Sequence, residues 1–104
     1  MSKQLPAEVS RAVPKSRTGT VSPQLYRVLM HNDDYTTMEF VVRVLETLFR
    51  KSTPEAHRIM LNIHVKGVGV CGVFPFEVAE TKVEKVHALA RNEGFPLRCS
   101  MEEA

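Results

Sequence analysis

The chain has 104 residues, 43% hydrophobic and 25% charged, with a formal net charge of +2; these values suit one ordinary globular domain with a modest core. Charge is uneven: residues 1–23 carry Lys3, Arg11, Lys15 and Arg17 against Glu8, a net +3, leaving the rest at −1. A near-neutral body argues against a nucleic-acid surface, no run approaches the ~20 apolar residues of a membrane span, and no apolar signal-peptide core opens the chain, so a cytoplasmic location is expected.

Residues 1–23 contain Pro6, Pro14 and Pro23 among small polar residues without helical or alternating pattern. They read as a flexible arm, and its basic excess points weakly to an acidic partner. Residues 24–104 are the expected folded domain. Leu25 to His31 is rich in apolar and β-favouring types and reads as a strand. The polar run Asn32-Asp33-Asp34-Tyr35-Thr36 stops it.

A helix is expected from Thr36, with Glu39 completing a T-x-x-E capping box. Phe40, Val41, Val44, Leu45, Leu48 and Phe49 form its apolar stripe, and Arg50 and Lys51 suit its negative end. A second helix starts at Ser52 or Thr53 with Pro54 in its first turn. Its inner face is Ala56, Ile59, Met60 and Ile63, and Gly67 is its expected stop.

Val68 to Phe74 reads as a strand, with Val68, Val70 and Phe74 on one face and Cys71 and Val73 on the other. Gly69 and Gly72 suggest a close backbone approach or a bulge. A third helix covers about 76–92 with Ala79, Val83, Val86 and Ala90 buried, and Gly94 ends it. Alternation over 95–101 gives the last strand. The order β-α-α-β-α-β describes a small two-layer α+β domain.

The acceptor run admits three readings. Asn, Asp and Thr are ordinary turn and cap residues. Asp33 and Asp34 are carboxylates of the type that bind a divalent cation, but no third carboxylate joins them. Several acceptors beside an apolar hole built from Met60, Ile63 and Leu97 also suit a ligand with a cationic amine and a bulky side chain, such as the free N-terminus of a polypeptide. His64 ends the second helix, either as a cap on its dipole or as a ligand group. Met38, Met60 and Leu97 are core or pocket. Glu77, Glu80, Lys82 and Glu84 are a solvated face or a docking face.

No nucleophile stands in an activating motif, so no catalytic residue and no enzyme activity are expected. No cofactor is called for. Cys71 and Cys99 fall in strand segments, with reduced core thiols the leading reading and a disulfide the lesser one. No Cys/His spacing resembles a metal site.

Four segments, Asn32–Val41, Met60–His64, Val70–Phe74 and Glu77–Val83, strongly resemble ClpS, the bacterial adaptor of the Clp protease. The resemblance runs in register from about Tyr26 to Glu102. It implies a three-stranded antiparallel sheet with three helices, preceded by a mobile arm that assists delivery. It also implies an adaptor that binds N-degron substrates starting with Leu, Phe, Tyr or Trp and hands them to the ClpA unfoldase, which feeds ClpP. By position, Asn32, Asp33 and His64 would contact the α-amino group and first peptide unit. Thr36, Met38, Val41, Met60, Ile63 and Leu97 would line the side-chain pocket, with Asp34 beside it. Glu77 and Lys82 would lie on the surface that docks the N-terminal domain of ClpA. Three positions depart from the family pattern: Thr37 for the usual Pro, Ile63 for the common Val, and His31 for an apolar residue. A non-catalytic interaction module like the C-terminal domain of ribosomal L7/L12 is the alternative, since it shares the α+β outline but needs no amine pocket.

Overall fold

The computed structural model describes residues 22–104; nearly all of the expected arm lies outside them. Three strands and three helices follow in the expected order: β1 (Leu25–His31), α1 (Met38–Leu48), α2 (Thr53–Lys66), β2 (Val68–Pro75), α3 (Phe76–Asn92) and β3 (Arg98–Glu103). The sheet order is β2-β1-β3, and both pairings are antiparallel. Val28 and Met30 of β1, Cys71 of β2 and Cys99 of β3 point into a core completed by Phe40, Val44 and Leu45 of α1, Ile59 of α2 and Val86 of α3.

The second helix begins and ends where its local chemistry dictates. Ser52 caps it by accepting the Glu55 N–H, and Pro54 sits in the first turn. Gly67 closes it at φ 88°, a left-handed conformation that glycine adopts without strain. The Gly67 N–H bonds the Ile63 carbonyl at 2.8 Å, and its carbonyl accepts the Asn32 N–H at 2.9 Å. That second bond ties the end of α2 to the first residue after β1.

The start of α1 differs from expectation. Thr37, not Thr36, is the cap, accepting the Phe40 N–H at 3.1 Å, and the helix begins at Met38. Thr36 is diverted because its hydroxyl donates to Asp33 Oδ2 at 2.7 Å. Glu39 is therefore an acidic first-turn residue, favourable to the helix dipole, and no longer the partner in a capping box.

The far end of α1 also departs. Arg50 takes the left-handed conformation, φ 56°, to end the helix. The cation at its carbonyl end comes from α3, where Lys82 Nζ donates to the Leu48 carbonyl at 2.6 Å. The same ammonium lies 5.8 Å from the Phe49 ring centre and 5.6 Å from that of Phe74, so it is held by a carbonyl and two aromatic faces at once.

In β2, Val68 and Val70 face solvent and Cys71 faces the core, but Phe74 turns inward and Val73 outward, the reverse of strict alternation. A bulge explains it: Val28 pairs with Gly72 and Leu29 with Val70, so Cys71 is an extra residue in the ladder. Gly72 accommodates the shift, since a Cβ there would lie 2.6 Å from the Phe74 ring.

The last strand starts later than expected, at Arg98. Gly94 turns the chain at φ 79° and the Phe95 N–H returns to the Ala90 carbonyl at 2.8 Å, so residues 93–95 still belong to the helix end. Pro96 has no N–H to offer a ladder. Leu97 is buried before the strand begins.

Candidate functional site

The turn from β1 into α1 is built around one carboxylate. Asp33 Oδ1 accepts the N–H groups of Tyr35 at 2.8 Å and Thr36 at 2.7 Å, and Oδ2 accepts the Thr36 hydroxyl. Partial burial opposes the charge of Asp33, but these hydrogen bonds outweigh it and hold the carboxyl below its usual range. Asp33 is thus ionised and largely occupied by the turn itself. Asn32 and Asp34, on either side, are exposed.

On the other side of the same space, Met60 and Ile63 come from the inner face of α2, and His64, one residue on, is exposed. The bond from Asn32 to Gly67 keeps these two walls together. Between them lies a cavity of about 230 Å³. Asn32, Asp33, Asp34, Thr36 and His64 form its polar side, and Met38, Val41, Met60 and Ile63 its apolar side. Nine of the ten residues expected from the sequence to bind substrate line one cavity. Leu97, buried in the same core cluster as Val41, Met60 and Ile63, does not reach the cavity lining.

The arrangement is a hydrogen-bonding, net acidic wall facing an apolar one. It suits a ligand with a cationic donor group beside an apolar group. Met38 is 48% exposed and Met60 only 8%, so Met38 is the adjustable lip and Met60 the floor.

Behind the floor stands Gly69 of β2, which the sequence marks only as a point of close approach. A Cβ built there lies 2.6 Å from Ile63 Cγ1 and 3.5 Å from the Ile59 carbonyl oxygen. Gly69→Ala is expected to push Ile63 toward the cavity and to cost about 1–3 kcal/mol of stability, the scale of overpacking. Denaturant unfolding checks it. Ile63→Ala in the same chain relieves the collision, so the double variant should lose less stability than the sum of the two single variants.

Of the expected docking residues, Glu77 is exposed in the first turn of α3, whereas Lys82 is half-buried and committed to the end of α1. That structural use of Lys82 escaped the sequence reading. Cys71 and Cys99 are free and buried. Burial pushes both thiols up, Cys99 to about 12, and the neighbouring Cys99 adds to the shift of Cys71; neither is a poised nucleophile. His31, next to Asn32, bonds Ser100 Oγ at 2.7 Å, and burial, then the nearby Arg98 charge, lowers its pKa. Among the described residues no group of three or more His, Cys, Asp or Glu is placed to hold a metal ion, and no helix is long and apolar enough to cross a membrane.

Comparison with known proteins agrees with this fold. The family described as "ATP-dependent Clp protease adaptor protein ClpS" matches residues 21–100. The ATP-dependent Clp protease adapter protein ClpS of Desulfatibacillum aliphaticivorans is 65% identical over 83 residues, 80% of each chain. That of Desulforapulum autotrophicum is 53% identical over 103 residues, 99% of each. Among solved structures, Agrobacterium tumefaciens ClpS2 bound to L-phenylalaninamide matches with a TM-score of 0.77 at 40% identity, covering 80% of this chain and 100% of that one. The match decides between the adaptor and the ribosomal-type module in favour of the adaptor: the chain belongs to the ClpS family of adaptors of the ATP-dependent Clp protease.

Proposed function

We propose that this adaptor recognises polypeptides by a free α-amino group and a bulky first side chain, Leu, Phe, Tyr or Trp, and delivers them in the cytoplasm to the ClpA unfoldase for degradation by ClpAP. The role is non-catalytic and makes or breaks no bond. One observation carries it: a single cavity offers acceptors on one wall and apolar groups on the other. The ligand of the Agrobacterium relative, L-phenylalaninamide, is itself an α-amine joined to a benzyl group and an amide.

An α-amine has a pKa of about 7.7–8.0 and is largely charged at neutral pH. Its three donors are met by the Asn32 amide oxygen, a carboxylate lone pair of Asp34 or Asp33, and a ring-nitrogen lone pair of His64, directly or through water. The cavity's size supports a large apolar group, since a dry cavity of about 150 Å³ takes up benzene. Glu77 and the surface around Lys82 on α3 are the proposed contact with the N-terminal domain of ClpA, on a different element from the pocket walls.

The test is fluorescence anisotropy with peptides differing only in their first residue. Leu, Phe, Tyr and Trp should bind at least about tenfold more tightly than Val and Ile, whose Cβ branch meets the Met38 lip. Met38→Ala should narrow that gap by opening the lip. Equal affinities across all six first residues would reject the reading.

A further inference from the structure

The fold sorts its sulfur atoms sharply by access to solvent. Cys71 and Cys99 are buried, and burial keeps both thiols protonated at neutral pH, so neither offers the thiolate that oxidants attack. Of the four methionines among the described residues, Met30 is fully enclosed, Met60 is 8% exposed and Met101 is half-buried. Met38 is 48% exposed. Oxidation of sulfur follows exposure, so a small oxidant arriving from solvent meets Met38 first.

Met38 is also the methionine at which such a change has a consequence. It opens α1, and it lines both the amine cavity and an adjoining depression between α1 and α2, so it is reached from two sides. As a thioether it is apolar and adjustable. As a sulfoxide it would be a polar acceptor, and its neighbours on the apolar side of the cavity, Val41, Met60 and Ile63, carry no side-chain N–H or O–H to meet it. Water can do so while the cavity is open. A bulky side chain seated against the lip displaces that water and leaves the oxygen unpaired, which opposes binding.

We infer that Met38 is a hydroperoxide-sensitive lip: its oxidation to the sulfoxide weakens the cavity's hold on a bulky apolar first side chain and leaves the acidic wall unchanged. In the step, a lone pair of the Met38 sulfur attacks one oxygen of hydrogen peroxide. The O–O bond breaks, that oxygen stays on sulfur, and the other leaves as water with both protons. Sulfur gives up two electrons and the peroxide takes them. Methionine sulfoxide reductases reverse the change, so the lip can be reset. The inference rests on the amine-pocket reading of the cavity.

The test treats the full chain briefly with hydrogen peroxide and maps the added oxygen by mass spectrometry. Met38 should be oxidised before Met30, Met60 and Met101, and a saturating peptide that begins with Phe should slow Met38 alone. By anisotropy, the oxidised chain should bind that peptide at least about fivefold more weakly, the lower end of the cost of an unpaired buried polar group. A peptide beginning with Ala, too short to press on the lip, should change little. A methionine sulfoxide reductase should restore Phe binding. Met38→Leu sets its own starting affinity and should lose none of it on the same treatment, whereas Met101→Leu should lose it as the parent does. Met38 oxidised no sooner than Met101, no loss once Met38 is oxidised, equal losses for the Phe and Ala peptides, or a loss that persists in Met38→Leu overturns the inference, while the untreated protein's preference for Phe over Ala keeps the pocket standing. If the untreated protein shows no such preference, the pocket reading fails and the sensitive lip fails with it.

Discussion

N-acetylation of a peptide that begins with phenylalanine is expected to weaken its binding by at least about a hundredfold. Acetylation removes the positive charge and leaves one N–H donor where there were three. Hydrogen bonds involving a charged group contribute about 1.5–3 kcal/mol each, so the loss of two is about 3–6 kcal/mol, or roughly 10²–10⁴ in affinity. The acidic wall makes the loss steep. Asp33 is held in its charged form by the Thr36 and Tyr35 hydrogen bonds despite partial burial, so its field acts on the amine at neutral pH. The benzyl group still fits after acetylation, and its burial alone is worth about 1.5–3 kcal/mol before the cost of association. Isothermal titration of the free and acetylated peptides gives the ratio directly. A difference under about fivefold would mean that the apolar wall does the binding and the polar wall is only a turn.

Much of this architecture was legible because its signals are local. Ser52, Pro54 and Gly67 bound α2 by chemistry contained within the helix and its caps. The nine cavity residues were legible through segment resemblance, because the turn and the α2 face are each continuous in sequence. What escaped depends on partners elsewhere. Two adjacent threonines can each cap α1, and the choice falls to Thr37 only because Asp33 captures the Thr36 hydroxyl. The face on which Phe74 lies depends on a bulge defined by pairing with β1, which alternation within β2 cannot show. Lys82 reaches the Leu48 carbonyl from 34 residues away, and a lysine on a polar helix face carries no local mark of that contact. Leu97 reads as a pocket residue both from its apolar character and from the resemblance, but the chain after Gly94 packs it in the core cluster without bringing it to the cavity lining.

Phe40→Ala should cause the largest loss of stability, about 3–5 kcal/mol, the usual cost of deleting a buried phenyl ring. Phe40 is 2% exposed, and its ring centre lies 5.0 Å from that of Phe95. The ring is held on three sides: by the core cluster, by the segment leading to β3, and by the Arg43 guanidinium. A domain of this size has about 5–15 kcal/mol of stability in all. The midpoint should therefore fall by more than about 12 °C, at about 4–8 °C per kcal/mol. The effect extends to the site, because Phe40 stands between Met38 and Val41, the two residues by which α1 lines the cavity. Peptide binding separates the two consequences. If the ring only anchors α1, ligand at a fixed concentration about a hundred times the parent's dissociation constant should restore roughly 2.7 kcal/mol of stability in the variant as in the parent. If the cavity walls shift when the ring is lost, the ligand-induced rise in midpoint will be smaller in the variant. A loss below about 1 kcal/mol in the ligand-free protein would contradict the packing of α1, since no relaxation short of refilling the space replaces a ring with so little solvent contact.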